Sequence, residues 1–192
     1  MLAELGIKCV EDPALCTYLA APHLVRTEKF CCALARAPTV VSTTWVEACV
    51  REARLIDPKE HLLRDPEGEK RLRINLSVSL ARARANQGLL LDDQAVYCAP
   101  GVHGGFETCR RIVEANGGVC VPFRTAKRPA NAPDSERIVL LSGDGPGDRK
   151  LWGRFQGMAE ALGREWCVYR AEWLLEMALG QRLEWSDKYN VE

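Results

Sequence analysis

Neither sign of charge predominates in this chain of 192 residues, where 26 Lys and Arg stand against 26 Asp and Glu. That balance supplies no global field to draw it onto nucleic acid or a membrane surface. No apolar run is long enough to cross a bilayer, and the first residues do not read as a secretory leader. Histidine is scarce (His23, His61, His103) and no Cys-x-x-Cys pair occurs, so neither a metal site nor a cofactor is expected. The Gly-rich Gly143-Asp-Gly-Pro-Gly147 lacks the Lys-Ser/Thr of a phosphate-binding loop and reads as a turn. No Ser/His/Asp or Cys/His set has a credible catalytic spacing, so the chain is not expected to be an enzyme. Nine cysteines (Cys9, Cys16, Cys31, Cys32, Cys49, Cys98, Cys109, Cys120, Cys167) form an odd set. Most lie in apolar periodic segments, which predicts reduced, buried thiols and a cytosolic or nuclear setting.

What is present is an internal repeat. The segment Trp45-Val-Glu-Ala-Cys-Val-Arg-Glu-Ala-Arg-Leu55 returns without a gap as Trp173-Leu-Leu-Glu-Met-Ala-Leu-Gly-Gln-Arg-Leu183, each time just after a short strand-like run. In both copies a Trp opens an amphipathic helix with apolar partners at helical spacing. Upstream, Leu5-Gly-Ile-Lys-Cys-Val10 resembles Asn116-Gly-Gly-Val-Cys-Val121. Each copy therefore reads as helix end, Gly turn, strand, strand, helix, strand, Trp helix.

In the first copy, Thr17–Ala21 reads as a strand, a helix runs from about Arg26 to Ala35, and Thr39–Ser42 is the next strand. Thr43 or Thr44 is the expected N-cap of the Trp45 helix. Residues 57–93 read as a linker with one helix, about Asn75 to Asn86, stopped at Gly88. Its arginines (Arg71, Arg73, Arg82, Arg84) could touch phosphates, although such a row is more often a solvated helix face. The second copy opens with the strand Gln94–Ala99. A helix from about Phe106 to Ala115, a strand Val119–Phe123 and a polar surface loop over 124–136 follow. A strand Ile138–Leu141, a helix over about 151–162 and a strand Trp166–Tyr169 complete it. Strands alternating with helices argue for a parallel sheet flanked by helices, α/β in class, twice over.

The Gly turn into a strand, the Thr-x-Leu-x-Ala strand and the Trp-x-x-x-Cys segment together resemble the pattern of BRCT domains. The resemblance covers nearly all of the chain as a tandem pair of three-layer units. It divides the chain into a first repeat at 1–63, a linker at 64–93 and a second repeat at 94–192. Asp65-Pro-Glu-x-Glu-Lys70, Leu80-Ala-Arg-Ala-Arg84 and Ala99-Pro-Gly-Val102 look most like the C-terminal pairs of nuclear DNA-damage scaffolds.

In such pairs the first repeat binds phosphoserine through a Ser or Thr followed by Gly on its first strand, and through a Lys that begins its second helix. The resemblance places Val25-Arg-Thr-Glu-Lys-Phe30 on the family's Arg-Thr-x-Lys pattern. It implies Lys29 and Thr27 at the phosphate, and Arg26 on the third residue after the phosphoserine or on a chain-terminal carboxylate there. A phosphate carries a charge of about −1.5 to −2 near neutral pH, which an ammonium holds as a point charge, and a guanidinium takes a carboxylate bidentately. The groove between repeats would add Cys31, Val102, His103, Gly104, Phe106, Glu172 and Leu175. The Gly turns are offset by 111 positions (Gly6 against Gly117), so the first repeat's first strand would precede Met1. A fragment of a longer chain is the favoured explanation, and a divergent pair without phosphate binding the other.

The function expected from the resemblance is a non-enzymatic phosphoserine-peptide reader of a nuclear DNA-damage scaffold. Its expected partner is a damage-phosphorylated histone C-terminal tail, alongside other damage-response proteins. The alternative is a phosphate-independent protein-protein scaffold. Nucleic-acid binding through the linker arginines and the loop Arg124–Arg128 is the weaker third possibility, for want of net positive charge.

Overall fold

The computed structural model describes residues 2–124 and 134–191. The first repeat runs β1 (Tyr18–Ala20), α1 (Glu28–Leu34), β2 (Thr39–Val41) and α2 (Thr43–Arg51). The linker carries α3 (Pro66–Leu72) and α4 (Leu76–Asn86). The second repeat runs β3 (Ala95–Cys98), α5 (Gly105–Ala115), β4 (Val119–Pro122), β5 (Arg137–Leu141), α6 (Pro146–Ala161), β6 (Glu165–Tyr169) and α7 (Glu172–Gly180).

Strand alternation builds the three layers of the second repeat. Its sheet is parallel, in the order β4-β3-β5-β6. Val96, Cys98, Val139 and Leu141 face one side, where they meet Cys109, Ile112 and Val113 of α5 and Trp173, Leu174 and Met177 of α7. Their neighbours Ala95, Tyr97, Ile138 and Leu140 face the other side, against Leu151, Phe155, Met158 and Ala159 of α6. A strand buried on both faces must be apolar at every position, and β3 is fully buried along its length.

The first repeat has the same order around a smaller sheet. β1 and β2 pair in parallel, Tyr18 with Thr39 and Ala20 with Val41. The match to β5 and β6 extends to single hydrogen bonds. Ala21 N–H donates to Val41 O (3.0 Å) as Ser142 N–H does to Tyr169 O (2.9 Å). Trp45 Nε1–H donates to Ile56 O (3.0 Å) as Trp173 Nε1–H does to Glu184 O (2.8 Å). No described strand pairs with the other edge of β1, and Tyr18 is exposed there.

That open edge explains one correction. The Gly turn expected at Leu5–Val10 is present, with Gly6 at φ +74° against +85° for Gly117, but Ile7–Val10 does not form a strand. Its counterpart β4 pairs with β3, and no described strand stands in that place in the first repeat. Ile7 packs instead with Leu5, Val46 and Ile56 against Val41, Trp45 and Cys49.

The linker holds two helices, not one. Asp65 caps α3, its carboxylate accepting from Gly68 N–H (2.9 Å), with Pro66 at the first helical position. Asn75 caps α4, which ends where Gln87 and then Gly88 take positive φ. Smaller shifts occur elsewhere. α1 starts at Glu28 rather than Arg26, Ser42 rather than a Thr occupies the N-cap of α2, and α6 begins about one turn earlier than predicted. Most of the loop expected at 124–136, including residues 125–133, lies outside the described residues.

The repeats pack through helices. α1 lies against α5 and α7, and α4 against α7, so one apolar cluster runs through both repeats and the linker. Arg82 Nη1 donates to Gly180 O (3.2 Å), and Asn86 Nδ2 to Gln181 O (3.1 Å). Two buried polar side chains complete the seam. Gln181 Nε2 donates to Asn116 Oδ1 (2.9 Å), and Asn116 Nδ2 to Ile112 O (2.8 Å). Asn116→Ala leaves one N–H of the buried Gln181 amide without its acceptor, while Ile112 O keeps the Asn116 backbone N–H, and urea denaturation is expected to show a loss of about 1–3 kcal/mol. An unchanged midpoint would mean that the pair contributes nothing.

Candidate functional site

Thr27 sets the corner that carries the charged side chains. Its backbone is extended (φ −99°, ψ 156°) and its Oγ1 accepts from Phe30 N–H at 3.4 Å, which makes it the N-cap of α1. That oxygen is thereby engaged in capping. Lys29, in the first turn of α1, and Arg26, just before the cap, are both exposed. Neither is ion-paired with a described residue. Glu28 stands between them, and the second repeat turns it aside, since Arg111 Nη1 on α5 holds Glu28 Oε1 at 3.1 Å. Sequence inspection missed Arg111, because nothing local to α5 signals a partner 83 positions away.

The residues expected to line the groove differ in exposure. His103 and Gly104 are exposed at the turn into α5, where Gly104 and Gly105 both take positive φ (+83° and +80°). Phe106, Glu172 and Leu175 are half-buried, and Phe106 and Leu175 lean on the main apolar cluster. Cys31 and Val102 are corrections. Cys31 is fully enclosed and burial pushes its thiol up to about 12, while Val102 is 4% exposed. Both belong to the core and offer the groove no surface. The linker arginines are corrected in part. Arg71 and Arg82 are tied to the carbonyls of Leu24 and Gly180, which are structural duties even though Arg71 is exposed, as Arg73 and Arg84 are.

The second repeat shows what fills the corresponding corner there. Asp148, in the first turn of α6 and 5% exposed, accepts from Gly101 N–H after β3 (Oδ1, 3.1 Å) and from Gly143 N–H after β5 (Oδ2, 2.9 Å). Both glycines are required by the close approach, as a Cβ on Gly101 would stand 2.6 Å from Asp148 Oδ2 and one on Gly143 2.5 Å from Gly101 O. By register, Pro22 stands in the first repeat where Gly143 stands in the second, and it has no N–H to offer. Read along the chain, Gly143–Gly147 has the look of a simple turn, which hid this arrangement.

Among the described residues no cluster of His, Cys, Asp and Glu could hold a metal ion, and no helix is long and apolar enough to cross a membrane.

The comparisons agree with this architecture. Residues 1–63 match the family model described as the Regulator of Ty1 transposition protein 107 BRCT domain. BRCT-containing protein 1 of Schizosaccharomyces pombe is 30% identical over 190 residues, which is 97% of this chain and 22% of that protein. The chain spans about a fifth of the length of the first curated relatives that it matches. The crystal structure of the S. pombe Brc1 BRCT5-BRCT6 domains superposes with a TM-score of 0.80 at 30% identity, covering 95% of this chain and 86% of that one. The complex structure of Rtt107p with a phosphorylated histone gives 0.65 at 17% identity, covering 98% and 82%, which is a likeness of fold. With 95% of its length superposing on a solved tandem pair at 30% identity, this chain belongs to the BRCT family as a tandem pair.

Proposed function

We propose that this pair reads a phosphoserine peptide, with Lys29 holding the phosphate and Arg26 a carboxylate beyond it. The observation that carries the reading is the corner itself. Two exposed cations flank a capped helix start, neither is ion-paired with a described residue, and the one acid between them is drawn off by Arg111. The partner of the fold relative Rtt107p, a phosphorylated histone, has the required chemistry and supports a damage-phosphorylated histone tail as the ligand. Such a ligand implies a nuclear scaffold in the DNA-damage response, with no catalytic role for the pair. On this reading His103, Gly104, Phe106, Glu172 and Leu175 would contact the residues after the phosphoserine.

One observation favours a second reading, a phosphate-independent scaffold. Pro22 replaces a backbone donor that the second repeat uses to hold an anion, so fewer donors face the corner of the first. A fluorescence-anisotropy titration decides between the two. The ligand is a phosphoserine peptide with a free carboxylate three residues on, and its unphosphorylated twin is the control. The reader binds the phosphopeptide at least about tenfold more tightly, a difference of about 1.4 kcal/mol. Lys29→Met removes that preference, and Arg26→Ala removes the advantage of the free carboxylate over an amide. Equal affinity for the twins in the unchanged protein would leave the scaffold.

A further inference from the structure

The segment that presents Arg26 and Lys29 is held from the linker. Leu24 N–H donates to Asp65 Oδ2 (2.8 Å), and Leu24 O accepts from Arg71 Nη2 (2.8 Å). Asp65 and Arg71 both belong to α3 and its cap, more than 40 positions away along the chain. They grip the two polar groups of one residue, two positions ahead of Arg26. The Leu24 side chain is fully buried, so this residue is fixed through its backbone and its side chain alike.

Asp65 serves two ends at once. While Oδ2 takes the Leu24 N–H, Oδ1 caps α3 by accepting from Gly68 N–H. These two bonds hold its carboxyl below the usual carboxylate range. Gly68 makes the crossing possible. A Cβ there would stand 2.1 Å from Asp65 Oδ2 and 3.0 Å from the Leu24 Cβ, so any side chain would push the carboxylate out of its place.

We propose that Asp65 and Arg71 are positioning residues for peptide recognition, the linker helix setting where Arg26 and Lys29 present their charges. The inference rests on the reading of this corner as a phosphopeptide site. It gives the linker a part in recognition beyond joining the repeats, and it makes Gly68 a requirement of the site.

Asp65→Asn separates positioning from folding. Asn is as good an N-cap as Asp, so α3 keeps its start, but one side-chain oxygen cannot serve both N–H groups, and the new amide opposes the Leu24 N–H donor against donor. The measured quantity is the ratio of affinities for the free-carboxylate and the amidated phosphopeptide. A loss of folded protein alone lowers both affinities equally and leaves the ratio unchanged, whereas a displaced Arg26 changes it.

The expected result is a ratio reduced about tenfold by Asp65→Asn, and likewise by Gly68→Ala, with α-helical circular dichroism retained. Glu67→Gln, on the same helix but outside the clamp, should leave the ratio unchanged. An unchanged ratio in both clamp variants overturns the inference and leaves the phosphopeptide reading standing. Equal affinity of the unchanged protein for phosphorylated and unphosphorylated peptides overturns that reading and the inference with it. Should Asp65→Asn fail to fold, Arg71→Gln releases the Leu24 carbonyl from an exposed side chain and carries the same test.

Discussion

Trp173→Ala is expected to lower the unfolding free energy by about 3–5 kcal/mol, the range for deleting a large buried aromatic, and Trp45→Ala by less. The two tryptophans occupy the same place in the two repeats and donate the same hydrogen bond. Their surroundings differ. Trp173 is 1% exposed, stacks on Trp185 with centroids 5.3 Å apart, and adjoins Tyr169 inside the main cluster. Trp45 stacks on Tyr18 at 4.8 Å, but Tyr18 is 40% exposed at the open edge of β1. Among the described residues, the cluster around Trp45 has only two other buried members, Val41 and Cys49. Neighbours that can relax or already meet water lose less when the ring goes. Against a total stability of about 5–15 kcal/mol for a domain, the larger loss is close to unfolding. Urea denaturation followed by circular dichroism measures both, and equal losses would mean that the open edge of β1 does not matter.

Leu34→Ala should cost about 2–5 kcal/mol and should destabilise both repeats together. Leu34 is fully buried on α1, and α1 is the helix that meets both α5 and α7. Since the main cluster runs unbroken from Leu24 and Phe30 to Met177 and Tyr189, the two repeats share one core and should unfold in one transition. Chemical denaturation followed by far-ultraviolet circular dichroism and by tryptophan fluorescence should give coincident curves, both shifted to lower urea by the substitution. Separate transitions would show that the seam is a contact between two independent units.

The repeat and the α/β class were legible in the sequence because the Trp segments and the alternation of strands with helices rest on residues close together in the chain, whereas Arg26, Thr27 and Lys29 were singled out by the family resemblance. A Trp followed by apolar residues at helical spacing announces α2 and α7, whereas the cap that Thr27 places on α1 was not read, the helix being expected to start at about Arg26. Features that depend on a distant partner were not legible. Ile7–Val10 has the pattern of a strand, but pattern alone does not supply a partner, and no described strand pairs with it. α3 was not expected, although Asp65-Pro66 is a local sign of a helix start, and it carries Gly68 in its interior, where glycine is disfavoured. Cys31 was expected in the groove only from the family resemblance, which gives a position along the helix and not its burial. Phe30 through Leu34 are all buried, since α1 is enclosed by its own sheet and by the second repeat.

The Asp148 carboxylate has a consequence for stoichiometry. A corner that already holds its own anion on Gly101 and Gly143 has no room for a phosphate from outside. On the proposed reading the pair is therefore monovalent, taking one phosphate per chain however alike its halves are. A tail phosphorylated twice gains nothing from the second group through effective concentration, and tighter capture of such a tail requires a second copy of the pair rather than the second repeat.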